Sequence, residues 1–182
     1  MQAPTFWQED ASGRDAAPML QALAAPLSVI YAAGAAWRRS MTKPARAPVK
    51  IICVGNLTLG GAGKTPVARA LRAKLGPKAA VLLRGYGGAA KGVVQAAPES
   101  DVRIVGDEAL LHAADGLTFV SRDRVAGALA AKEAGAELVI LDDGHQNHTI
   151  EKDLSLVVID AESGIGNCRV FHAGPLRERL RF

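Results

Sequence analysis

The sequence predicts an α/β fold: a P-loop NTPase-like, three-layer domain with a mainly parallel sheet, preceded by an N-terminal amphipathic helical segment. Three observations carry this. From Val49 onward, short β-branched runs alternate with helical patterns, the rhythm of strands joined by right-handed crossovers. A glycine-rich turn, Gly60-Gly61-Ala62-Gly63-Lys64-Thr65, separates the first such run from the first helical pattern. Finally, the apolar run Leu138-Val139-Ile140-Leu141 ends in Asp142-Asp143-Gly144, which puts two carboxylates where a parallel sheet presents its ligand crevice.

Bulk properties set the frame. A chain of 182 residues has room for one domain with a substantial core and an appendage. With 49% apolar and 22% charged residues, general disorder is excluded. The net charge of +4 is modest, but no acidic residue occurs from Ala16 to Lys50, while Arg38, Arg39, Lys43, Arg46 and Lys50 are basic. Such a stretch suits anionic lipid or phosphate; no nucleic-acid partner is expected. Cys53 and Cys168 form no metal or disulfide pattern, which fits a reducing compartment. Glu9, Asp10 and Asp15 argue against a secretory signal.

Taken in order, Met1 to Ala17 reads as loosely ordered. Pro18 to Met41 carries Leu20, Leu23, Leu27, Ile30, Tyr31 and Trp37 at helical spacing, with Pro26 predicting two helical pieces or a late start. This segment reads either as an interfacial helix, with Trp37 at headgroup level and Arg38 and Arg39 on lipid phosphates, or as a helix packed on the domain. Pro44 to Pro48 is a basic linker. Residues 1–48 are thus expected to form a membrane-facing helical segment and linker, and 49–182 the nucleotide-binding domain. Within the latter, strands are expected at Val49–Val54, Ala79–Leu83, Val102–Val105, Leu117–Val120, Glu137–Leu141 and Ser155–Ile159. Helices are expected at Lys64–Leu75, Asp107–Ala114 and Asp123–Ala134, and a loop at Arg84-Gly85-Tyr86-Gly87-Gly88.

The first strand, the glycines and the following helix form a triphosphate cradle. Glycines let successive N–H groups turn onto an anion, and the helix beginning near Lys64 points its positive end at the same spot. Lys64 suits the β- and γ-phosphates and the Thr65 hydroxyl suits Mg²⁺, with Thr58, Leu59, Gly60, Gly61, Ala62 and Gly63 forming the loop. Thr58 stands where the usual pattern has its first glycine. Asp142 and Asp143 read as Mg²⁺-associated carboxylates, since paired acids repel one another without a cation; Asp-Asp-Gly is also ordinary turn chemistry. Asp107 and Glu108 by themselves read as first-turn acids of a helix, and beside a nucleotide site as base and metal ligand.

These motifs carry a resemblance. Gly55-Asn56-Leu57-Thr58-Leu59-Gly60-Gly61-Ala62-Gly63-Lys64-Thr65-Pro66, Arg84-Gly85-Tyr86-Gly87-Gly88 and Val105-Gly106-Asp107-Glu108 come first. Arg122-Asp123-Arg124, Leu141-Asp142-Asp143-Gly144-His145-Gln146-Asn147 and Ala173-Gly174-Pro175-Leu176-Arg177-Glu178 follow. In this order they resemble the tetraacyldisaccharide 4′-kinases of Gram-negative bacteria, from about Leu27 to Glu178, and the family's loop also lacks the first glycine. The resemblance implies an MgATP-dependent kinase acting on the 4′-hydroxyl of a tetraacylated glucosamine disaccharide 1-phosphate, at the cytoplasmic face of the inner membrane, peripheral or monotopic. It implies phosphate and metal binding by Lys64 and Thr65, with Lys64 also catalytic, a base role for Asp107, and magnesium roles for Glu108, Asp142 and Asp143. Arg84, Arg122, Arg124 and Arg177 become candidates for phosphate or headgroup contacts.

Some positions depart from the family pattern: Cys168 replaces an expected glycine, and His172 and Arg179 replace expected prolines. The family continues into a second domain bearing a histidine that assists the catalytic aspartate, and none of His112, His145, His148 or His172 matches it by motif. Since the chain stops at Phe182, truncation is expected, with the catalytic set incomplete. Rival readings are a non-catalytic ATP-binding remnant and a membrane-associated nucleotide switch. Against the switch, the chain has neither an N-K-x-D guanine-reading element nor the extra loop lysine of a partitioning ATPase.

Overall fold

A computed structural model describes residues 4–7 and 18–180; the loose order expected for Met1 to Ala17 falls largely outside them. The described chain resolves into two compact units. One comprises Lys43–Gly55 and Lys64–Val157, the other Met1–Thr42, Asn56–Gly63 and Val158–Phe182.

The first of these holds a six-stranded sheet. Its strands are β1 (Lys50–Gly55), β2 (Ala79–Leu83), β3 (Val93–Ala96), β4 (Thr118–Ser121), β5 (Leu138–Asp142) and β6 (Leu154–Val157), in the order β3-β4-β2-β5-β1-β6. All neighbours pair in parallel except β3, which runs antiparallel to β4 at the edge. The central strands β2 and β5 read as continuous apolar runs because both sheet faces are covered. Ile51, Cys53, Ala80, Leu82, Phe119, Val139 and Leu141 meet Ala128 and Ala131 in one cluster. The alternate residues Val81, Leu83, Val120 and Ile140 are buried too.

Helix α2 (Lys64–Leu75) and strand β2 coincide with the expected bounds. Asp123 Oδ1 accepts the N–H groups of Val125 and Ala126 and so starts α5 (Arg124–Glu133). One expected strand is wrong: Val102–Val105 is a helical turn, α3, followed by α4 (Asp107–Ala113). Asp101 accepts the N–H of Arg103 at 2.8 Å, and this local cap outweighs the β propensity of a four-residue run. The edge strand is instead β3, where no strand was expected.

In the other unit, α1 (Pro18–Met41) is one continuous helix through Pro26, which corrects the expectation of two pieces or a late start. Proline removes the bond to the Ala22 carbonyl, but Ala22, Ala24 and Ala25 are strong helix formers with little bulk to clash. Only Gln21 and Ser28 are buried on α1, whereas Met19, Leu20, Leu23, Leu27, Val29, Ile30, Trp37 and Met41 are exposed. Among the described residues it is long and apolar enough to cross a membrane. Tyr31 packs edge-on against Phe171, with ring centroids 5.5 Å apart.

Candidate active site

The C-terminal end of β5 delivers Asp142 and Asp143. Asp143 sits at φ 53°, a left-handed conformation that aspartate tolerates better than most residues. Its Oδ1 lies 3.6 Å from Lys64 Nζ, in the first turn of α2. At the start of α4, Asp107 Oδ1 accepts the Glu108 N–H at 2.9 Å. The turn before it needs glycine: Gly106 has φ 87°, and a Cβ there would meet the Tyr86 carbonyl oxygen at 2.7 Å. The Glu108 carboxyl is pushed up from its ordinary range, first by desolvation, then by the charges of Asp142, Asp107 and Asp143, with Lys64 opposing. Lys64, Asp107, Glu108, Asp142 and Asp143 are therefore electrostatic neighbours. Thr65 is half-buried beside Lys64.

Asp142 is the deepest of the acids, with its side chain 2% exposed. Its Oδ2 lies 3.0 Å from Nε2 of His112, which is fully buried in the last turn of α4. Its Oδ1 is buried with no hydrogen-bond partner. An orphaned buried carboxylate oxygen costs free energy unless something else binds it. It therefore fits a divalent cation, and the surrounding excess of carboxylates over Lys64 fits one as well. Among the described residues no three His, Cys, Asp or Glu side chains converge as a complete metal cage. That suits Mg²⁺, which takes one or two carboxylates and completes its shell with substrate phosphates and water.

The sequence reading missed His112. It lies on the same side of α4 as the buried Ala109 and Ala113, so a polar side chain there had to find an internal partner; that spacing was the available signal. Arg72, likewise unforeseen, is buried and donates from Nη1 to the His112 carbonyl at 2.8 Å.

The loop Thr58–Gly63 belongs to the other unit. Gly63 takes φ 74°, which a side chain would strain. Within this unit Asn56 Nδ2 donates to the Gly60 carbonyl (3.3 Å) and Leu59 N to the Pro175 carbonyl (2.7 Å). Arg177 donates from its backbone N to Leu57 O and from Nε to Thr58 O. The Ala173-to-Glu178 motif thus braces the glycine loop. Gly60, Gly61 and Gly63 are exposed, and Ala62 is buried.

The remaining arginines divide. Arg124 is buried and donates to the Leu82 carbonyl at 3.3 Å; burial first, and Arg84 second, lower its guanidinium to about 10. Arg122 is exposed. Cys168, where glycine is expected, has φ 57°, the conformation glycine favours; His172 has φ 83°, which a proline ring could not adopt.

A mostly parallel six-stranded sheet with helices, together with an N-terminal helix, fits a P-loop-like α/β fold. The family model for tetraacyldisaccharide-1-P 4′-kinase matches residues 20–181, and the chain belongs to that family. The tetraacyldisaccharide 4′-kinase of Dinoroseobacter shibae is 51% identical over 185 residues, covering 98% of this chain and 53% of the relative. That of Hyphomonas neptunium is 44% identical over 186 residues, covering 99% and 56%. The chain thus spans about half the length of the curated relatives it matches. Among solved structures, LpxK from Aquifex aeolicus in complex with ATP superposes with a TM-score of 0.77 at 30% identity, covering 87% of this chain and 54% of that one.

Proposed function

We propose that this protein is an ATP-dependent kinase that phosphorylates the 4′-hydroxyl of a tetraacyl glucosamine disaccharide 1-phosphate, a step of lipid A (lipopolysaccharide) biosynthesis. One observation carries the reading: in a chain of this family, Lys64 and four carboxylates form one electrostatic cluster whose deepest member, Asp142, has an unpartnered oxygen.

The roles follow from chemistry. Lys64 holds the β- and γ-phosphates, and the loop Thr58, Leu59, Gly60, Gly61, Ala62 and Gly63, contiguous with it in sequence, supplies backbone donors. Thr65, Glu108, Asp142 and Asp143 would hold Mg²⁺, which supplies charge neutralisation on the phosphate oxygens. Asp107, exposed at the start of α4, accepts the proton of the 4′-hydroxyl as its oxygen bonds to the γ-phosphorus and the bond to ADP breaks. Positioning and fixed charge do most of the work in such a transfer. The test is to follow labelled γ-phosphate from ATP into the lipid disaccharide. Label on the 4′-oxygen is expected; ATP hydrolysis without lipid labelling would refute the assignment.

Helix α1 supports a place at the cytoplasmic face of the inner membrane. Its exposed apolar side chains and the basic Arg38 and Arg39 in its last turn suit an anionic bilayer surface. Co-sedimentation with anionic vesicles is expected to exceed that with neutral ones and to weaken with salt. Equal pelleting with both would mean that another protein surface covers the helix.

A further inference from the structure

We infer that His112 is a positioning residue for Asp142: by donating from Nε2 to Oδ2 it fixes the carboxylate and leaves Oδ1 to the cation. This rests on the kinase reading above and deepens it. His112 belongs to none of the family motifs, the nearest of which ends at Glu108, four residues before it, so the assignment comes from geometry. The His112 ring is fully enclosed and its Nε2 lies 3.0 Å from Oδ2. Its Nδ1 is buried without a partner. The tautomer with its proton on Nε2 makes Nδ1 a bare acceptor, which costs less than a buried unpaired N–H. The backbone that carries the ring is held in turn: Arg72, from the helix that begins with Lys64 and Thr65, donates to the His112 main-chain carbonyl. A hydrogen-bonded partner of this kind orients a metal-binding carboxylate, and its loss costs about 10- to 100-fold in metal affinity or activity.

The alternative is a histidine that only fills the core, and Mg²⁺ dependence separates the two. ATP binding by the full-length protein is measured by calorimetry in EDTA and across a Mg²⁺ titration, with thermal melts alongside. His112→Leu is expected to raise the Mg²⁺ concentration for half-maximal gain in ATP affinity by about 10- to 100-fold, leaving affinity in EDTA unchanged. His112→Gln, whose amide N–H can still donate, should recover most of that shift. If the leucine variant does not fold, His112→Asn, with a side chain too short to reach, replaces it. A lowered melting temperature with a parental Mg²⁺ midpoint makes the residue structural and overturns the inference. A parent protein whose ATP binding ignores Mg²⁺ overturns the kinase reading itself, and this inference with it.

Discussion

Ser28 and Asp142 are both buried polar groups, 9% and 3% exposed, one in each unit, and their surroundings differ in one respect. Ser28 Oγ accepts the Ala173 N–H at 2.9 Å and lies 3.0 and 2.9 Å from the carbonyls of Val170 and Phe171. Its one donor and one of its acceptor sites are met by backbone. Asp142 has one oxygen on His112 and the other on nothing. A satisfied buried group fastens structure, whereas an unpaired carboxylate oxygen among other acids calls for a cation. The contrast extends to the helices. On α5 the buried residues are Arg124, Gly127, Ala128 and Ala131, a mostly small and apolar stripe; on α1 the polar Gln21 and Ser28 are inside and the large apolar side chains outside.

Substitutions can break this comparison. The largest effect is expected at Asp142→Asn: turnover and Mg²⁺ response should fall by about 10²-fold or more, while the melting temperature holds or rises because a half-paired buried charge is gone. A large loss of stability with retained turnover would make Asp142 a structural group like Ser28. Next, Ser28→Ala should destabilise by about 0.5–1.5 kcal/mol, since it removes the hydroxyl's bond to the 170–171 carbonyls while the Ala173 N–H keeps the Val170 carbonyl at 3.1 Å, with ATP affinity unchanged; denaturant melts and calorimetry check both halves. The smallest effect is expected at Cys168→Gly, a gain of about 0.5–1 kcal/mol from relieving a left-handed cysteine, net of the entropy glycine adds to the unfolded chain. An unchanged or lower melting temperature there would show that the strain is already compensated.

Most of the sheet is legible in the sequence because long apolar runs such as Ala79–Leu83 and Leu138–Leu141 admit one reading when both faces are covered. Short elements are not. Val102–Val105 has strand composition, yet Asp101 before it and Gly106 after it supply caps that favour a turn of helix. Lys64, Asp142 and Asp143 stand out as candidates by residue type and spacing, and Asp107 and Glu108 through the family resemblance; His112 does not, because its partner lies thirty residues away and only folding reveals the pair. The left-handed Cys168 falls where the family resemblance called for glycine, so the expected glycine had a backbone reason behind it. His172 shows the opposite: its φ of 83° rules out the proline expected there.

The central claim is that the acids around Lys64 perform phosphoryl transfer, with Asp107 taking the proton. Asp107 could equally be a first-turn acid that only steadies α4, and one measurement separates the two: turnover and ATP affinity of Asp107→Asn in the full-length protein, by labelled phosphate transfer and calorimetry. A catalytic base predicts turnover lower by about 10²- to 10⁴-fold with ATP affinity intact. Parental turnover in the variant would contradict the account and leave Asp107 as a helix-capping acid.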